Sequence, residues 1–133
     1  MAGKKGYGWV FVEPKAKPIS DFQKKEIELK CQTLIEDFKT QFIQEANPDS
    51  GYTTDIYGKW YRHYFYFCQL MKYDSPDFRV NEAEYKLARL ECFANNTFGL
   101  SYFRHTGQWW QIFEGQTLES CLESIKTDPI FHP

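Results

Sequence analysis

The spacing of apolar residues predicts a long helix near the start of the chain. Between residues 27 and 42, apolar side chains recur at intervals of three and four, which places them on one stripe of an α-helix. Ser20 and Gln23 have the spacing of a capping box, and Pro18 lies just before them. The pattern predicts a helix from about Asp21 to about Phe42. The stripe consists of Ile27, Cys31, Leu34, Ile35, Phe38 and Phe42.

Shorter β-prone runs follow, separated by turn-forming residues. The run at 52–57 leads to Gly58, which permits a turn or a bulge, and an aromatic-rich strand is predicted from Trp60 to Met71. The segment 82–94 fits a helix loosely. A strand is the better interpretation, because Asn95-Asn96 directly after it favours a tight turn.

Two more runs and a second helix complete the pattern. The runs 97–102 and 108–113 lie on either side of a turn signal at Thr106-Gly107. Thr117 has the chemistry of an N-cap for a helix that Asp128-Pro129 would end. The apolar stripe of this helix consists of Leu118, Cys121, Leu122 and Ile125.

Together these elements predict an α+β fold. We expect a long N-terminal helix, an antiparallel β-meander of about four strands, and a short C-terminal helix packed on one sheet face. Residues 19–133 would form a single domain, which suits a chain of 133 residues. Glycines and prolines make residues 1–18 an extended lead-in, and it is basic, with four lysines against one glutamate.

Composition and charge narrow the class of protein. No apolar run reaches the roughly 18 residues of a membrane-spanning helix, and the start of the chain lacks the apolar region of a secretory signal. We therefore expect a cytoplasmic location and no membrane partner. The net charge of −2 argues against a dedicated nucleic-acid binder, which carries a strong positive excess.

The four cysteines predict buried free thiols. Cys31, Cys68, Cys92 and Cys121 each fall at an apolar position of the local pattern, and no two have the spacing of a metal clip. The three histidines are not clustered with them, so the sequence predicts no metal site and no cofactor. The nucleophile motif GxSxG and the phosphate-binding motif GxxxxGK are also missing from the sequence.

The stretch 57–67 is the densest aromatic segment of a chain that is 19% aromatic. A strand through it would be apolar on both faces, so one face would join the core and the other would be covered or exposed. One possible outer set is Trp60, Arg62, Tyr64 and Tyr66, and the other is Tyr61, His63, Phe65 and Phe67. The arginine makes the first set the predicted outer face.

A second group of interest surrounds the turn signal near residue 105. Arg104 and His105 could form an anion-binding pair, with Trp109 or Trp110 as a stacking wall. The alternative is a loop whose arginine stacks on a tryptophan for stability. If the strands around them pair, His63 and His105 could meet at one end of the sheet.

Aromatic sheet residues also stack bases in some proteins that bind single-stranded nucleic acid. Only Lys59 and Arg62 accompany the aromatic stretch, whereas a sheet that binds RNA interleaves more cations with its rings. Single-stranded nucleic acid therefore remains an alternative, and the charge pattern argues against it.

Five short motifs lie between Asp55 and Phe131. They are Asp55-Ile56-Tyr57, Trp60-Tyr61-Arg62, Arg104-His105-Thr106-Gly107-Gln108-Trp109, Leu118-Glu119-Ser120-Cys121-Leu122 and Asp128-Pro129. On these motifs the chain resembles a small uncharacterised domain family of unknown function found in bacteria and plants. The resemblance implies the layout of a meander followed by a helix, and it implies no catalytic role.

The leading hypothesis for function is a non-enzymatic binding or protein-interaction module that uses an aromatic sheet face. A homodimer formed through that face is one version, because exposed apolar patches often become interfaces. The alternative is an enzyme for a small anionic substrate, with His105 as acid or base and Arg104 as anchor. The candidate binding residues are Trp60, Arg62, Arg104, His105, Trp109 and Trp110.

Overall fold

The computed structural model describes residues 19–77, 79, 81–104 and 106–133. They form helix α1, a five-stranded sheet, helix α2 and a short 3-10 helix, with the strands paired antiparallel in chain order. All five β-prone runs pair, so the sheet has five strands rather than about four. The elements are α1 (Asp21–Phe42), β1 (Tyr52–Tyr61), β2 (Tyr64–Lys72), β3 (Glu82–Cys92), β4 (Phe98–Phe103), β5 (Trp109–Gln116), α2 (Leu118–Thr127) and the 3-10 helix (Pro129–Phe131).

Two predictions fall outside the described residues. The basic lead-in at 1–18 and the candidate site residue His105 both lie there. The α+β class, the antiparallel sheet and the strand at 82–92 are confirmed. No helix in the described part of the chain is long and apolar enough to cross a membrane.

Helix α1 has the bounds that the sequence predicts, because its signals are local. The Ser20 hydroxyl accepts a hydrogen bond from the Gln23 backbone N–H at 3.2 Å, and the Gln23 side chain accepts one from the Ser20 N–H at 3.0 Å. This capping box is confirmed. All members of the apolar stripe are buried except Phe42, which is half-buried.

The aromatic stretch forms a hairpin, so the prediction of one strand from Trp60 to Met71 is wrong. β1 continues through Gly58 to Tyr61, the chain reverses at Arg62-His63, and β2 begins at Tyr64. Arg62 has a φ of 56°, in the left-handed region that a tight turn requires. The sequence did not reveal this turn, because it lacks a glycine or asparagine there.

The hairpin also changes which rings share a face. Tyr61 pairs with Tyr64 across the turn, so these two side chains lie on one face of the sheet, together with Tyr66. Trp60 lies on the other face with its cross-strand partner Phe65. The predicted outer set is therefore correct for its two tyrosines and wrong for Trp60.

One face of the sheet joins both helices in a single hydrophobic core. Cross-strand pairing places Phe67 between Gly58 and Ala88, and places Leu90 between Phe65 and Leu100. Apart from Gly58, these residues belong to the same buried cluster as the helix stripes. The cluster includes Ile27, Cys31, Leu34, Ile35 and Phe38 from α1, Ile56, Phe65, Phe67, Ala88, Leu90 and Leu100 from the strands, and Leu118, Cys121 and Ile125 from α2.

Gly58 is neither a turn nor a bulge, which corrects the interpretation of this glycine from the sequence. It lies inside β1 opposite Phe67, and the irregularity of β1 falls between Thr53 and Asp55. A Cβ at Gly58 would overlap the ring of Phe65. That ring cannot withdraw easily, because it is buried and packs edge-on against its neighbours Trp60 and Phe67.

The substitution Gly58→Ala should therefore lower the free energy of unfolding by about 1–3 kcal/mol through overpacking. Phe65→Leu removes the far end of the ring, so the double variant should be more stable than the sum of the two single effects predicts. Urea unfolding of all three variants and of the wild type measures this coupling. Strict additivity would show that the overlap with Phe65 is not the cause.

All four cysteines are free and buried, as the sequence predicts. Burial raises the pKa of the Cys31 thiol to about 12 and the pKa values of Cys68 and Cys121 to about 11. It also raises the pKa of Cys92. The thiolate fraction in the folded protein is consequently small at neutral and mildly alkaline pH.

The folded protein should thus react slowly with Ellman's reagent at pH 8 and at pH 9.5. An exposed thiol has a pKa of about 8.5, so its thiolate fraction would rise several-fold over the same interval. The protein unfolded in urea is the control, and there all four cysteines should react rapidly. A fast phase in the native protein would show that at least one thiol is accessible.

Candidate functional site

The face of the sheet opposite the core carries a cluster of rings and charges. We call it the open sheet face, because in the described part of the chain the core residues of both helices lie on the other side. Residues that characterise it are Tyr57, Tyr64, Tyr66, Glu84, Arg89 and Trp109.

Arg89 lies at the centre of this face, in β3. Its guanidinium carbon is 4.6 Å from the centroid of the Tyr64 ring and 4.7 Å from that of Trp109. Trp109 also contacts Tyr66 and Phe103, with centroids 5.6 and 5.0 Å apart. Arg89 is therefore held by two cation–π contacts, each contributing about 0.5–2 kcal/mol depending on its desolvation.

The guanidinium of Arg89 has rings around it but no counter-ion. No carboxylate of the described residues forms a salt bridge with it. Its Nε atom is buried and has no hydrogen-bond acceptor among them. A buried donor without a partner is unfavourable by about 1–3 kcal/mol, and an arginine in this state is well suited to receive an anion.

The two acidic residues that share β3 and this face with Arg89 already have partners. Glu84 accepts a hydrogen bond from Lys59 at 2.6 Å and another from the hydroxyl of Tyr57, and Lys86 lies 3.5 Å away. The hydrogen bond from Lys59, followed by that from Tyr57, holds the pKa of Glu84 below its usual range. Glu84 therefore remains ionised and engaged.

Glu91, near the other end of β3, also has partners for its carboxylate. Its carboxylate lies 2.9 Å from Nε2 of His63 and accepts a hydrogen bond of 3.3 Å from Tyr64. Glu84 and Glu91 thus have other partners, and within the described part of the chain the positive charge of Arg89 has no carboxylate partner.

A notch in the sheet adjoins this arginine. β3 begins at Glu82, but β4 pairs with it only from Arg89 to Cys92. We call the gap beside residues 82–88 the β3 notch. A cavity of about 740 Å³ lies there, within the size range of ligand sites. It is lined by Glu84, Tyr85, Lys86, Phe103, Arg104 and Trp109.

The predicted site residues near the turn at Thr106-Gly107 lie on two different faces of the sheet. Trp109 belongs to the open sheet face and lines the notch with Arg104. Trp110 pairs with Tyr102 and therefore points to the opposite face, as alternation along a strand requires. The guanidinium of Arg104 stacks over Trp110 at 4.7 Å, which agrees with the stacked-loop alternative.

The other predicted residues lie elsewhere. Trp60 packs under the helix, where its indole N–H donates to Glu28 at 2.9 Å. Arg62 is exposed at the β1–β2 turn and lies 5.2 Å from the Tyr61 ring. His63 sits at the same turn, whereas Arg104 lies at the other end of the strands. The meeting of His63 with His105 stays a prediction, because His105 lies outside the described residues.

Sequence reasoning missed Arg89, the residue that connects the rings. Its contacts Tyr64 and Trp109 come from different strands, and no local motif indicates them. The sequence carries no signal for this grouping, because Glu84, Lys86, Arg89 and Glu91 fall on one face only through the bulge at Leu87. A regular alternation from the sequence would have placed Lys86 and Arg89 on opposite faces.

Comparison with known proteins identifies a family. The model of the family described as Domain of unknown function (DUF3024) matches residues 19–133, and the chain belongs to this family. The match is longer than the segment that carried the resemblance in the sequence. No curated protein and no solved structure matches the sequence.

Lys59 should control the ionisation of Glu84 more strongly than Lys86 does. Lys59→Met should raise the pKa of the Glu84 carboxyl toward its usual value, because the shorter contact of 2.6 Å is lost. Lys86→Met is the matched control, with a contact of 3.5 Å, and should raise it less. Carbon-detected NMR titration of the side-chain carboxyl measures both. An equal response would mean that the hydrogen bond from Lys59 is not dominant.

Proposed function

We propose that the protein is a non-enzymatic binding module that holds a ligand with a carboxylate or phosphate group against the open sheet face. The observation that carries this proposal is Arg89, stacked between two rings without a carboxylate partner in the described part of the chain. Its role is to receive the anion.

The rings prepare the guanidinium for this role. Stacking on Tyr64 and Trp109 limits the orientations of the Arg89 side chain before any ligand arrives. A planar guanidinium offers parallel donors that match a carboxylate or phosphate in a bidentate arrangement. Less conformational entropy is then lost on binding, because the donor group is already oriented.

The apolar surroundings supply the second part of the ligand site. Phe103 has 43% of its surface exposed and packs against Trp109 at the rim of the notch. A ligand whose anionic group reaches Arg89 can cover these two rings with an apolar part. Arg104 also lines the notch, and its guanidinium is stacked over Trp110 on the other face.

The charges on this face favour a single anionic group over a long polyanion. Glu82, Glu84 and Glu91 share the face with the cations and would repel a phosphate backbone that crosses it. This distribution supports a protein or small-molecule ligand more than single-stranded nucleic acid. The enzyme alternative depends on His105, which lies outside the described residues.

NMR titration with benzoate, and separately with inorganic phosphate, tests the proposal. The Nε–H signal of Arg89 and the indole N–H signal of Trp109 should shift together and saturate. Arg89→Gln should weaken benzoate binding about 10-fold or more, because a charge-assisted bidentate contact is lost.

Arg62→Gln is the matched control, since Arg62 also stacks on a tyrosine but lies at the exposed turn. It should change the affinity less than about 2-fold, in line with the small effect of exposed charges. Thermal unfolding of both variants verifies that they remain folded. Shifts that do not involve Arg89, or equal losses in the two variants, would contradict the proposal.

A further inference from the structure

The feature that extends the proposed function is an edge of β3 that has no strand partner among the described residues. On one side, β3 pairs with β2 from Glu82 to Glu91. On the other side, β4 pairs only with the segment from Arg89 to Cys92. Residues 82–88 therefore have no partner from β4, and the β3 notch opens beside them. Backbone N–H and C=O groups along such an edge can pair with another strand.

We propose that an extended acidic segment of a protein partner adds as a strand to β3 beside residues 82–86, and places a carboxylate against Arg89. This inference rests on the proposed function, because it assigns a ligand class to the same anion site. It adds a second mode of recognition, which is backbone pairing.

The dimensions of the notch suit this occupant. Five residues of a strand extend over about 17 Å and present side chains to both faces alternately. On one side the added segment would meet the backbone of β3 between Glu82 and Lys86. On the other it would meet the end of the β4–β5 hairpin, where Phe103, Arg104 and Trp109 line the cavity. Strand addition of this kind obtains affinity from the main chain and specificity from side-chain contacts.

The charge of the notch selects an acidic segment. Lys86 and Arg104 line it, and Arg89 stacks on its Trp109 wall. Glu84 is the acid among the lining residues, and it is already bonded to Lys59 and to Lys86. A carboxylate that reaches Arg89 would therefore meet a cation that has no carboxylate partner among the described residues, whereas a lysine placed there would be repelled.

Selection from a random peptide library identifies the sequence that the notch prefers. Displayed ten-residue peptides are selected on the immobilised full-length protein. The recovered peptides should be enriched in aspartate and glutamate and depleted in lysine and arginine. The absence of this enrichment would overturn the acidic partner. Size-exclusion chromatography with light scattering, at several protein concentrations, tests whether a second copy of the protein occupies the notch instead. We expect no dimer that dissociates when the selected peptide is added. Such a dimer would overturn the proposal of a different partner.

Backbone methylation of the best peptide then tests strand addition directly. Only alternate amides of an added strand point toward β3, so N-methylation of one alternate set should weaken binding at least 10-fold. The same modification of the other set is the matched control, and should weaken it less than about 3-fold. Fluorescence anisotropy of the labelled peptides measures both. Equal effects of the two sets would overturn strand addition.

The Arg89→Gln variant separates this inference from the proposed function. If benzoate binds at Arg89 but the peptide is insensitive to methylation, the anion site stands and strand addition is wrong. If benzoate does not bind and Arg89→Gln leaves peptide affinity unchanged, the anion site itself is wrong. We expect the variant to bind the selected peptide at least 10-fold more weakly than the wild type does. We also expect backbone hydrogen exchange at residues 82–86 of the wild type to slow when the peptide binds.

Discussion

The structure depends on the burial of one face of an antiparallel sheet beneath the apolar stripes of two helices. Because side chains alternate along a strand, every turn must keep the correct side chains on that face. The two-residue turn at Arg62-His63 performs this task in the aromatic hairpin: it places Trp60 with Phe65 in the core and pairs Tyr61 with Tyr64 on the opposite face. Gly58 then leaves the space that the ring of Phe65 occupies. The composition of the open sheet face is a consequence of this arrangement.

The charged residues of the open sheet face differ in the partners that they contact. Glu84 has Lys59 and Glu91 has His63, whereas Arg89 has two rings. A stacked guanidinium keeps its charge and most of its donors, since cation–π contacts do not neutralise it as a carboxylate would. This difference makes an anionic ligand the chemistry that fits the face best. Membership of a family of unknown function neither supplies nor restricts that ligand.

Beside the open sheet face, β3 also has an edge that β4 does not cover. β3 extends beyond its pairing with β4, and this leaves part of its edge beside a cavity. Free edges are hazardous for a soluble sheet, because they can pair with other chains. Here the edge includes the charged residues Glu82, Glu84 and Lys86, which disfavour unselective pairing.

The sequence by itself determined the elements whose signals are local. The capping box and apolar stripe of α1, the strand character of 82–92 and the turns at Asn95-Asn96 and Thr106-Gly107 depend on neighbouring residues, and each was predictable. Only the tertiary structure decided the turn at Arg62-His63, the bulge at Leu87 and the contacts of Arg89. Those features depend on register between strands that are distant in the chain, and a shift of one residue exchanges the two faces of a sheet. Arg104 and Trp109 of the predicted site therefore share the notch, while Trp60 and Arg62 do not.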